Sequence, residues 1–452
     1  MKLEYIRSRR DFLRLGCRAL STAGAAAALG RAGLMTARAQ TASDYKALVC
    51  IFLFGGNDAN NLLVPNDATP YANYQKIRAN LAIPQASLVG IHDAASNANY
   101  GLHPSFAPIA PLYNTSKRLA LMMNVGTLVQ PVPRGSNGLP LLNSVPLPVN
   151  LYSHSDQQIA WQDATPLSSV TTGWAGRLSD KVAANSSSLV PPAITLAGNT
   201  LQLVGQSTAP SSVTTTNFGL VAPATDPGSV ALQSLLGLPS GATLVQAAQD
   251  SLKGAISVAQ TVNAALAGAA SLGVTFPTSD IGTQLGQVAK LIQARSALGA
   301  TRQIFFCSQG GYDTHSNQLQ QQVTLYGNLA AALSVFDQAM SALNVQGSVT
   351  TFTESDFGRT LQPNGNAGTD HGWGSHALVM GGAVNGGALY GSYPTLGLNG
   401  PDDSGNRGTW VPSTSQDQYM GALAKWFGLA QADMDYVFPN LKTFGYQTPA
   451  FV

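Results

Sequence analysis

The chain has 452 residues, a formal net charge of +2 and only 10% charged residues. Residues 1–39 carry eight of the 24 Lys and Arg residues and two of the 22 Asp and Glu residues, which leaves 16 basic and 20 acidic residues and a net charge of −4 in the remainder. This balance excludes nucleic acid or an anionic surface as the expected partner, and three cysteines are too few for a disulfide framework.

The N-terminus predicts export. An SRRDFLR motif at residues 8–14 is followed by an alanine-rich apolar run over residues 20–29 and an Ala-Arg-Ala cleavage site at residues 37–39. The pattern resembles a twin-arginine (Tat) signal peptide over residues 1–39, which implies the Tat translocase as partner and a periplasmic or secreted location. The alternative is a membrane anchor, but the run is too short and Arg31 interrupts it. No later segment is long and apolar enough to span a bilayer, so no stable membrane insertion is expected after cleavage.

Three short apolar runs predict buried β-strands. They are ALVCIFLF (47–54), RQIFFCS (302–308) and SVTTFTES (348–355). Each lacks clean alternation, as expected for a strand covered on both faces. Stretches of helical period lie between them, such as residues 317–343. This order predicts one α/β domain over residues 40–452, with a mostly parallel central sheet flanked by helices on both faces.

Residues 185–300 have a different composition. The first part, residues 185–240, is rich in Ser, Thr, Pro and Gly, and predicts loops with a short hairpin near PAITLAGNTLQLVG (192–205). Residues 241–298 then predict two helices. We expect the whole segment to form an insertion or cap over the core.

Two cysteines remain beyond the leader, Cys50 and Cys307, and each lies inside an apolar run. They are interpreted as buried small hydrophobic residues. A bridge between neighbouring strands is the alternative, which an oxidising compartment would permit.

The turns after the apolar runs, and the AGTDHGWGSH loop at residues 367–376, contain carboxylate and imidazole side chains. They are Asp58, Asp313, His315, Asp356, Asp370, His371 and His376. Because parallel strands end at one edge of a sheet, where ligands bind, the side chains after the strands are expected to converge. Oxygen and nitrogen ligands together suit Zn²⁺ or Mn²⁺ better than Ca²⁺ or Mg²⁺, so one or two divalent ions are predicted. The alternative for each turn is an ordinary polar turn.

The segment NLYSHSDQQIAWQ supplies the catalytic candidates Ser153 and His154. A serine hydroxyl at the start of a helix could attack an ester, with backbone N–H groups holding the anion. The alternative is a helix cap, which applies equally to Ser155. Arg359 could balance a substrate anion, although an arginine paired with a carboxylate is the commoner arrangement.

Together these motifs resemble the DUF1501 family, an uncharacterised group in the alkaline phosphatase/sulfatase-like superfamily. The resemblance rests on GGNDANNLLVP, GGYDTH, SDFGRT and TDHG followed by LVMGG, and on the closing segment VPSTSQDQYMGALAKWFGL. It covers most of the chain beyond the leader and is weakest over residues 185–300.

The superfamily implies a doubly wound α/β core with a two-metal site that cleaves phosphate or sulfate esters, so a small anionic ester is the expected substrate. Under this resemblance Asp58 matches the metal-binding aspartate of the first strand. Asp313 and His315 are similar to the Asp/His pair of one metal, and Asp370 and His371 to that of the other.

The sequence also departs from the superfamily pattern. His376 is only a further candidate ligand. At Asp356 the strand-end Asp-His has become Asp-Phe, so this residue is either a ligand or an orienting residue. No cysteine lies in a C-x-P-x-R motif, which excludes a formylglycine-type sulfatase, and no Ser or Thr follows Asp58 at a suitable position.

A protein of another class fits the same features. The missing nucleophile also suits a non-catalytic exported binding or surface-assembly protein that kept the fold. An open metal position facing a hydroxyl nucleophile would distinguish the enzyme. An oxidoreductase is not indicated, because no G-x-G-x-x-G follows a predicted strand with an acid about 20 residues later.

Overall fold

A computed structural model of the chain describes residues 44–183, 188, 190–213, 226–239 and 241–452. The predicted signal peptide and its cleavage site lie outside the described residues. Within the described ranges, no helix combines the length and apolar character needed to cross a membrane.

The described residues form twelve strands: β1 (Lys46–Leu53), β2 (Leu63–Pro65), β3 (Val89–Asp93), β4 (Ala98–Leu102), β5 (Leu119–Gly126), β6 (Ala193–Thr195), β7 (Ser211–Ser212), β8 (Arg302–Gln309), β9 (Val349–Ser355), β10 (Ser375–Gly381), β11 (Leu389–Gly391) and β12 (Thr414–Ser415). The α-helices in the same ranges are α1 (Ala68–Arg78), α2 (Ala110–Asn114), α3 (His154–Asp163), α4 (Trp174–Ala183), α5 (Pro227–Leu236), α6 (Thr243–Ala267), α7 (Asp280–Gln293), α8 (Gln318–Ala342), α9 (Gln416–Phe427) and α10 (Met434–Val437).

The central sheet has the order β11–β5–β10–β9–β1–β8–β6–β7, with β12 also paired to β5. β10 runs antiparallel to both of its neighbours, β5 and β9, while the other pairings in this sheet are parallel. A small antiparallel sheet of β2, β4 and β3 lies apart from it. The predicted mostly parallel α/β fold is confirmed.

β1 shows why the apolar runs lack alternation. Val49 and Ile51 belong to one hydrophobic cluster and Cys50 and Phe52 to another. Since successive side chains of a strand point to opposite faces, both faces of the sheet are buried. Residues of α7 and α8 cover the first face, and residues of α3, α4, α9 and α10 cover the second.

The strands β1, β8 and β9 end at one edge of the sheet. Leu53, the last residue of β1, lies opposite Gln309 of β8 and Ser355 of β9 in parallel register. The three turns that follow these strands therefore begin side by side, as the sequence predicted for the turns that carry Asp58, Asp313 and Asp356.

The hairpin predicted near residues 192–205 is wrong. β6 pairs in parallel with both β8 and β7, so residues 193–195 extend the central sheet. All three residues of β6 are buried, and pairing with β8 covers them better than a local hairpin with the polar residues that follow. The interpretation of residues 185–300 as an insertion or cap stays a prediction.

Cys50 and Cys307 lie on adjacent strands but on opposite faces of the sheet. In the register of β1 with β8, Cys50 is opposite Phe306 and Cys307 is opposite Ile51. The two cysteines consequently belong to different hydrophobic clusters, and both thiols are buried and free. They pack as small hydrophobic residues and form no bridge.

A candidate metal centre at the edge of the sheet

The carboxylate of Asp313 is the focus of the candidate site. Its Oδ1 lies 2.9 Å from Nε2 of His315, 3.4 Å from Nε2 of His154 and 3.5 Å from Nε2 of His371. The Nε2 atoms of His315 and His371 are 3.1 Å apart. The side chain of Asp313 is 46% exposed, so one side of the site opens to solvent.

Asp356 orients His154. Its Oδ2 lies 2.7 Å from Nδ1 of His154 and accepts a hydrogen bond from the Gln158 amide at 2.8 Å, while its Oδ1 accepts from the backbone N–H of Gly55 at 3.1 Å. The hydrogen bond to Asp356 raises the pKa of His154, against the opposing effect of burial. The carboxylate holds the ring proton on Nδ1 and turns Nε2 toward Asp313. That Nε2 is buried and has no hydrogen-bond partner among the described residues.

Asp370 orients His315 in the same way. Its Oδ1 lies 3.2 Å from Nδ1 of His315 and accepts from the Asn364 amide at 3.3 Å, while its Oδ2 accepts from the guanidinium of Arg407. Partial burial alone would raise the pKa of Asp370, but the hydrogen bonds from Arg407 and Asn364 lower it. The ionised carboxylate directs Nε2 of His315 toward Asp313.

A backbone carbonyl holds His371. Its Nδ1 lies 2.7 Å from the carbonyl oxygen of Tyr152. A carbonyl only accepts hydrogen bonds, so Nδ1 carries the proton and Nε2 keeps its lone pair. Burial lowers the pKa of His371, which favours this neutral form. The imidazole also packs against the ring of Phe357, with the centroids 4.8 Å apart.

The loops that carry these residues touch each other closely at glycines. A Cβ atom on Gly368 would lie 2.1 Å from the carbonyl carbon of His315. A Cβ atom on Gly55, which has a φ of +115°, would lie 2.4 Å from the backbone nitrogen of Asp313. Only glycine allows these approaches, which bring the loops after β1, β8 and β9 together.

The donor set fits a divalent metal ion. His154, Asp313 and His371 each offer a ligand atom, and these atoms lie within 4.8 Å of one another. In a tetrahedral zinc site with metal–nitrogen bonds of about 2.0 Å, neighbouring ligand atoms are roughly 3.3 Å apart. The distances from Oδ1 of Asp313 to Nε2 of His154 and His371, 3.4 and 3.5 Å, match that spacing.

Asp58 has other partners than those predicted. Its fully buried carboxylate forms an ion pair with Arg78 and accepts hydrogen bonds from Gln318 and from the side chain and backbone of Asn60. A buried arginine needs such a counter-charge. These contacts are those of a structural ion pair rather than those of a metal ligand.

His376 also differs from the prediction. It lies on β10 with 4% of its surface exposed, and its Nδ1 accepts a hydrogen bond from the backbone N–H of Asn124 at 3.0 Å. Its ring stacks on Tyr393, and burial lowers its pKa to about 3. The side chain packs as a neutral core residue, because His376 is part of the buried strand β10 and not of the loop before it.

The side chain of Arg359 pairs with Asp313 and does not line the pocket described below. Its side chain is fully buried, and its guanidinium donates to Oδ1 of Asp313 at 2.7 Å, to the carbonyl of Gly55 at 3.3 Å and to Thr369. Partial burial alone would raise the pKa of Asp313, but the hydrogen bond and charge of Arg359 lower it. The predicted role in binding a substrate anion is replaced by a pairing with Asp313.

Ser153 is the residue before α3, as predicted, but its side chain makes no capping hydrogen bond. Its hydroxyl oxygen lies 3.1 Å from that of Ser155. The role of Ser153 as a nucleophile stays a prediction.

A pocket of about 460 Å³ adjoins the cluster. It is lined by Tyr152, His315, Thr360, Asp370, His371, Gly405, Asn406, Arg407 and Thr409. The sequence did not indicate Tyr152 or Arg407: the first acts on His371 through its backbone, and the second lies in a loop without a recognisable motif.

Several solved structures are distantly similar to this chain. The crystal structure of Ps i-CgsB has 10% identity and a TM-score of 0.37, covering 89% of this chain and 77% of that chain. The C-terminal periplasmic domain of EcEptC from Escherichia coli, in complex with Zn, has 7% identity and a TM-score of 0.29 over 75% of this chain and 73% of that one. A mutant of alkaline phosphatase PafA has 10% identity and a TM-score of 0.25, with 70% and 63% covered. Similarities this distant do not transfer an activity to this chain.

A search of curated proteins finds no match. A family model described as "Protein of unknown function (DUF1501)" matches residues 45–407. Because this match spans most of the chain, the protein belongs to the DUF1501 family.

Proposed function

We propose that the protein is an exported, hydrolase-like protein that binds a divalent ion, Zn²⁺ or Mn²⁺, and acts on phosphate or sulfate esters. The supporting observation is that three Nε2 atoms converge on one oxygen of Asp313 while each Nδ1 is held by an acceptor. Histidine ligands of metals commonly donate their second N–H to a carboxylate or carbonyl in this way.

The facing imidazole nitrogens strengthen the proposal. With both Nδ1 atoms protonated, the Nε2 atoms of His315 and His371 present lone pairs to each other across 3.1 Å. Two lone pairs at this distance repel, and either a metal ion or a proton on one of the nitrogens would remove the repulsion. The ligands in this proposal are His154, Asp313, His315 and His371, and the orienting residues are Asp356 and Asp370.

A divalent ion at this centre would supply Lewis acidity to a phosphoryl or sulfuryl oxygen of the substrate. The chain itself fixes the three imidazoles and keeps Asp313 ionised through Arg359. The half-exposed Asp313 and the adjoining pocket give a substrate access to the same point. A hydroxyl of Ser153 or Ser155, at the start of α3, remains the candidate nucleophile.

A non-catalytic exported binding or surface-assembly protein is the second candidate. It is favoured because the hydroxyl of Ser153, the candidate nucleophile, contacts Ser155. Within the described residues, neither serine makes a hydrogen bond with an imidazole of the cluster. Such a protein would bind the metal without hydrolysing esters.

Export through the Tat translocase to the periplasm or beyond is also part of the proposal. It is supported by the SRRDFLR motif and the cleavage site in the sequence. A metal site assembled from three segments that are distant in the sequence suits a protein that is exported folded, with its ion already bound.

The test compares metal content and hydrolysis in wild type, His371→Ala and His92→Ala. His92 is an exposed histidine outside the cluster and serves as the matched control. We expect wild type and His92→Ala to contain metal and to cleave aryl phosphates or aryl sulfates, and His371→Ala to lose both properties. Metal without hydrolysis in wild type would favour the binding protein, and full metal content in His371→Ala would contradict the assignment of the centre.

A further inference from the structure

The pocket beside the metal centre shares two residues with it. His315 and His371 belong to both the cluster and the pocket wall. A molecule in the pocket therefore has one end at the converging Nε2 atoms. The inference below rests on the proposed function, because it assigns the pocket to the alcohol part of the ester.

More of the exposed surface of the pocket wall is apolar than polar. The side chain of Tyr152 is 45% exposed, and Thr360, Asn406 and Thr409 contribute hydroxyl and amide groups. Among the described residues that form the wall, none has an aliphatic side chain larger than a methyl-bearing threonine. Because apolar surface and polar groups share this wall, the pocket suits a molecule that carries both C–H faces and hydroxyls.

The charges at the wall compensate each other. Asp370 and Arg407 form an ion pair with each other. Arg359, the other nearby cation, is fully buried and directed at Asp313. Since the wall offers no uncompensated positive charge, the second phosphate of a nucleotide or another polyanion would lack a partner.

The ion pair still has hydrogen-bonding capacity toward the pocket. The side chains of Asp370 and Arg407 are 39% and 34% exposed. A guanidinium has five N–H donors and a carboxylate about four acceptor positions, more than their contacts within the protein use. A hydroxyl group both donates and accepts, so neighbouring hydroxyls can bond to the carboxylate and the guanidinium at once.

We propose that the pocket binds a neutral polyhydroxylated ring, that is, a sugar ring, as the alcohol part of the ester. The C–H face of the ring packs against Tyr152, and its hydroxyls bond to Asp370, Arg407 and Asn406. The backbone carbonyl of Tyr152 also holds His371 at 2.7 Å, which places the backbone of Tyr152 beside the metal centre.

The test uses saturation-transfer NMR with the methyl glycosides of glucose, galactose and mannose, which carry no ester. We expect at least one glycoside to bind the wild-type protein and the Tyr152→Phe variant. Binding should be roughly three- to tenfold weaker in Tyr152→Ala and in Asn406→Ala, as for loss of a single contact. Tyr436→Ala is the matched control, because Tyr436 is an exposed tyrosine outside the pocket.

The outcomes separate this inference from the proposed function. If no glycoside binds, or if Tyr152→Ala and Asn406→Ala bind as well as wild type, the sugar site is overturned even when aryl esters are hydrolysed. If glycosides bind with the expected losses but no ester is cleaved, the sugar site stands and the hydrolase proposal fails.

Discussion

Asp356 and His154 are 202 residues apart in the sequence, yet the Asp356 carboxylate lies 2.7 Å from Nδ1 of His154. This contact explains how the predicted Asp356 takes part in the site without being one of the converging ligands. The carboxylate selects the tautomer of His154 and fixes the direction of its free nitrogen.

Replacement of Asp356 tests this relationship. Asp356→Asn keeps the shape of the side chain but removes the charge that holds the Nδ1 proton. We expect the affinity for Zn²⁺ to fall by about 10- to 100-fold, the usual effect of losing an outer partner of a metal ligand. Competition with a chelator measures it. Asp402→Asn, which changes a carboxylate that is paired with Arg134 outside the cluster, should leave the affinity unchanged.

Asp58→Asn and Asp313→Asn should affect different properties. Asp58→Asn leaves Arg78 buried without its counter-charge, so the free energy of unfolding should fall by about 3–5 kcal/mol. Asp313→Asn removes a half-exposed carboxylate and should mainly reduce metal content. Urea unfolding of the metal-free proteins, together with metal analysis of the folded ones, separates the two roles. Loss of metal in folded Asp58→Asn would restore Asp58 as a ligand.

Gly368→Ala tests the contact between the histidine loops. The added Cβ would meet the carbonyl carbon of His315 at 2.1 Å, so the loop must shift and move His315. We expect weaker metal binding and lower stability than in wild type. Gly365→Ala is the control in the same loop, because a Cβ there meets no atom within 4 Å. Equal metal affinity in the two variants would show that the close approach is not needed for the centre.

Asp417, in the first turn of α9, predicts a pH dependence of stability. Burial raises its pKa from 3.8 to about 7, despite the hydrogen bond from Asn440. Between these values the folded protein holds a proton that the unfolded chain has lost, so stability falls as pH rises from about 4 to 7, at most by roughly 1.4 kcal/mol per pH unit. Asp417→Asn has no proton to lose at this position, so its unfolding free energy should fall less than that of wild type over this pH range. Urea unfolding at pH 5 and pH 7 measures the difference, and parallel curves for the two proteins would contradict it.

The leader gives a prediction of its own. Changing Arg9 and Arg10 together to Lys should leave the precursor in the cytoplasm, because the Tat translocase recognises the arginine pair. Cell fractionation followed by immunoblotting measures this. Arg31→Lys, a conservative change outside the motif, should be exported normally. Unchanged export of the double variant would exclude the Tat pathway.

The strands and their shared edge were predictable because buried parallel strands have a distinctive composition. The same logic brought Asp313, His315 and Asp356 to one place. It could not separate Asp58 from them, because a turn aspartate has the same sequence signature whether it meets a histidine or a buried arginine. The pairing with Arg78 depends on α1, which carries no motif.

The sequence could not predict contacts made by the backbone. His371 is held by a carbonyl of residue 152, and every residue has a carbonyl. The position of His376 was missed for a related reason: its loop ends where β10 begins, and the strand turns the imidazole away from the cluster. Arg359 was identified as important, but its burial was set by tertiary contacts with Gly55 and Thr369.

The placement of Cys50 and Cys307 on opposite faces of the sheet bears on where the chain can fold. Since neither thiol can reach the other, the described part of the protein needs no oxidation step to reach its native state. Folding and metal loading can both be complete in a reducing cytoplasm, and passage into an oxidising compartment leaves these two positions unchanged. Folding before export, which the Tat route requires, is thus compatible with two buried, free thiols.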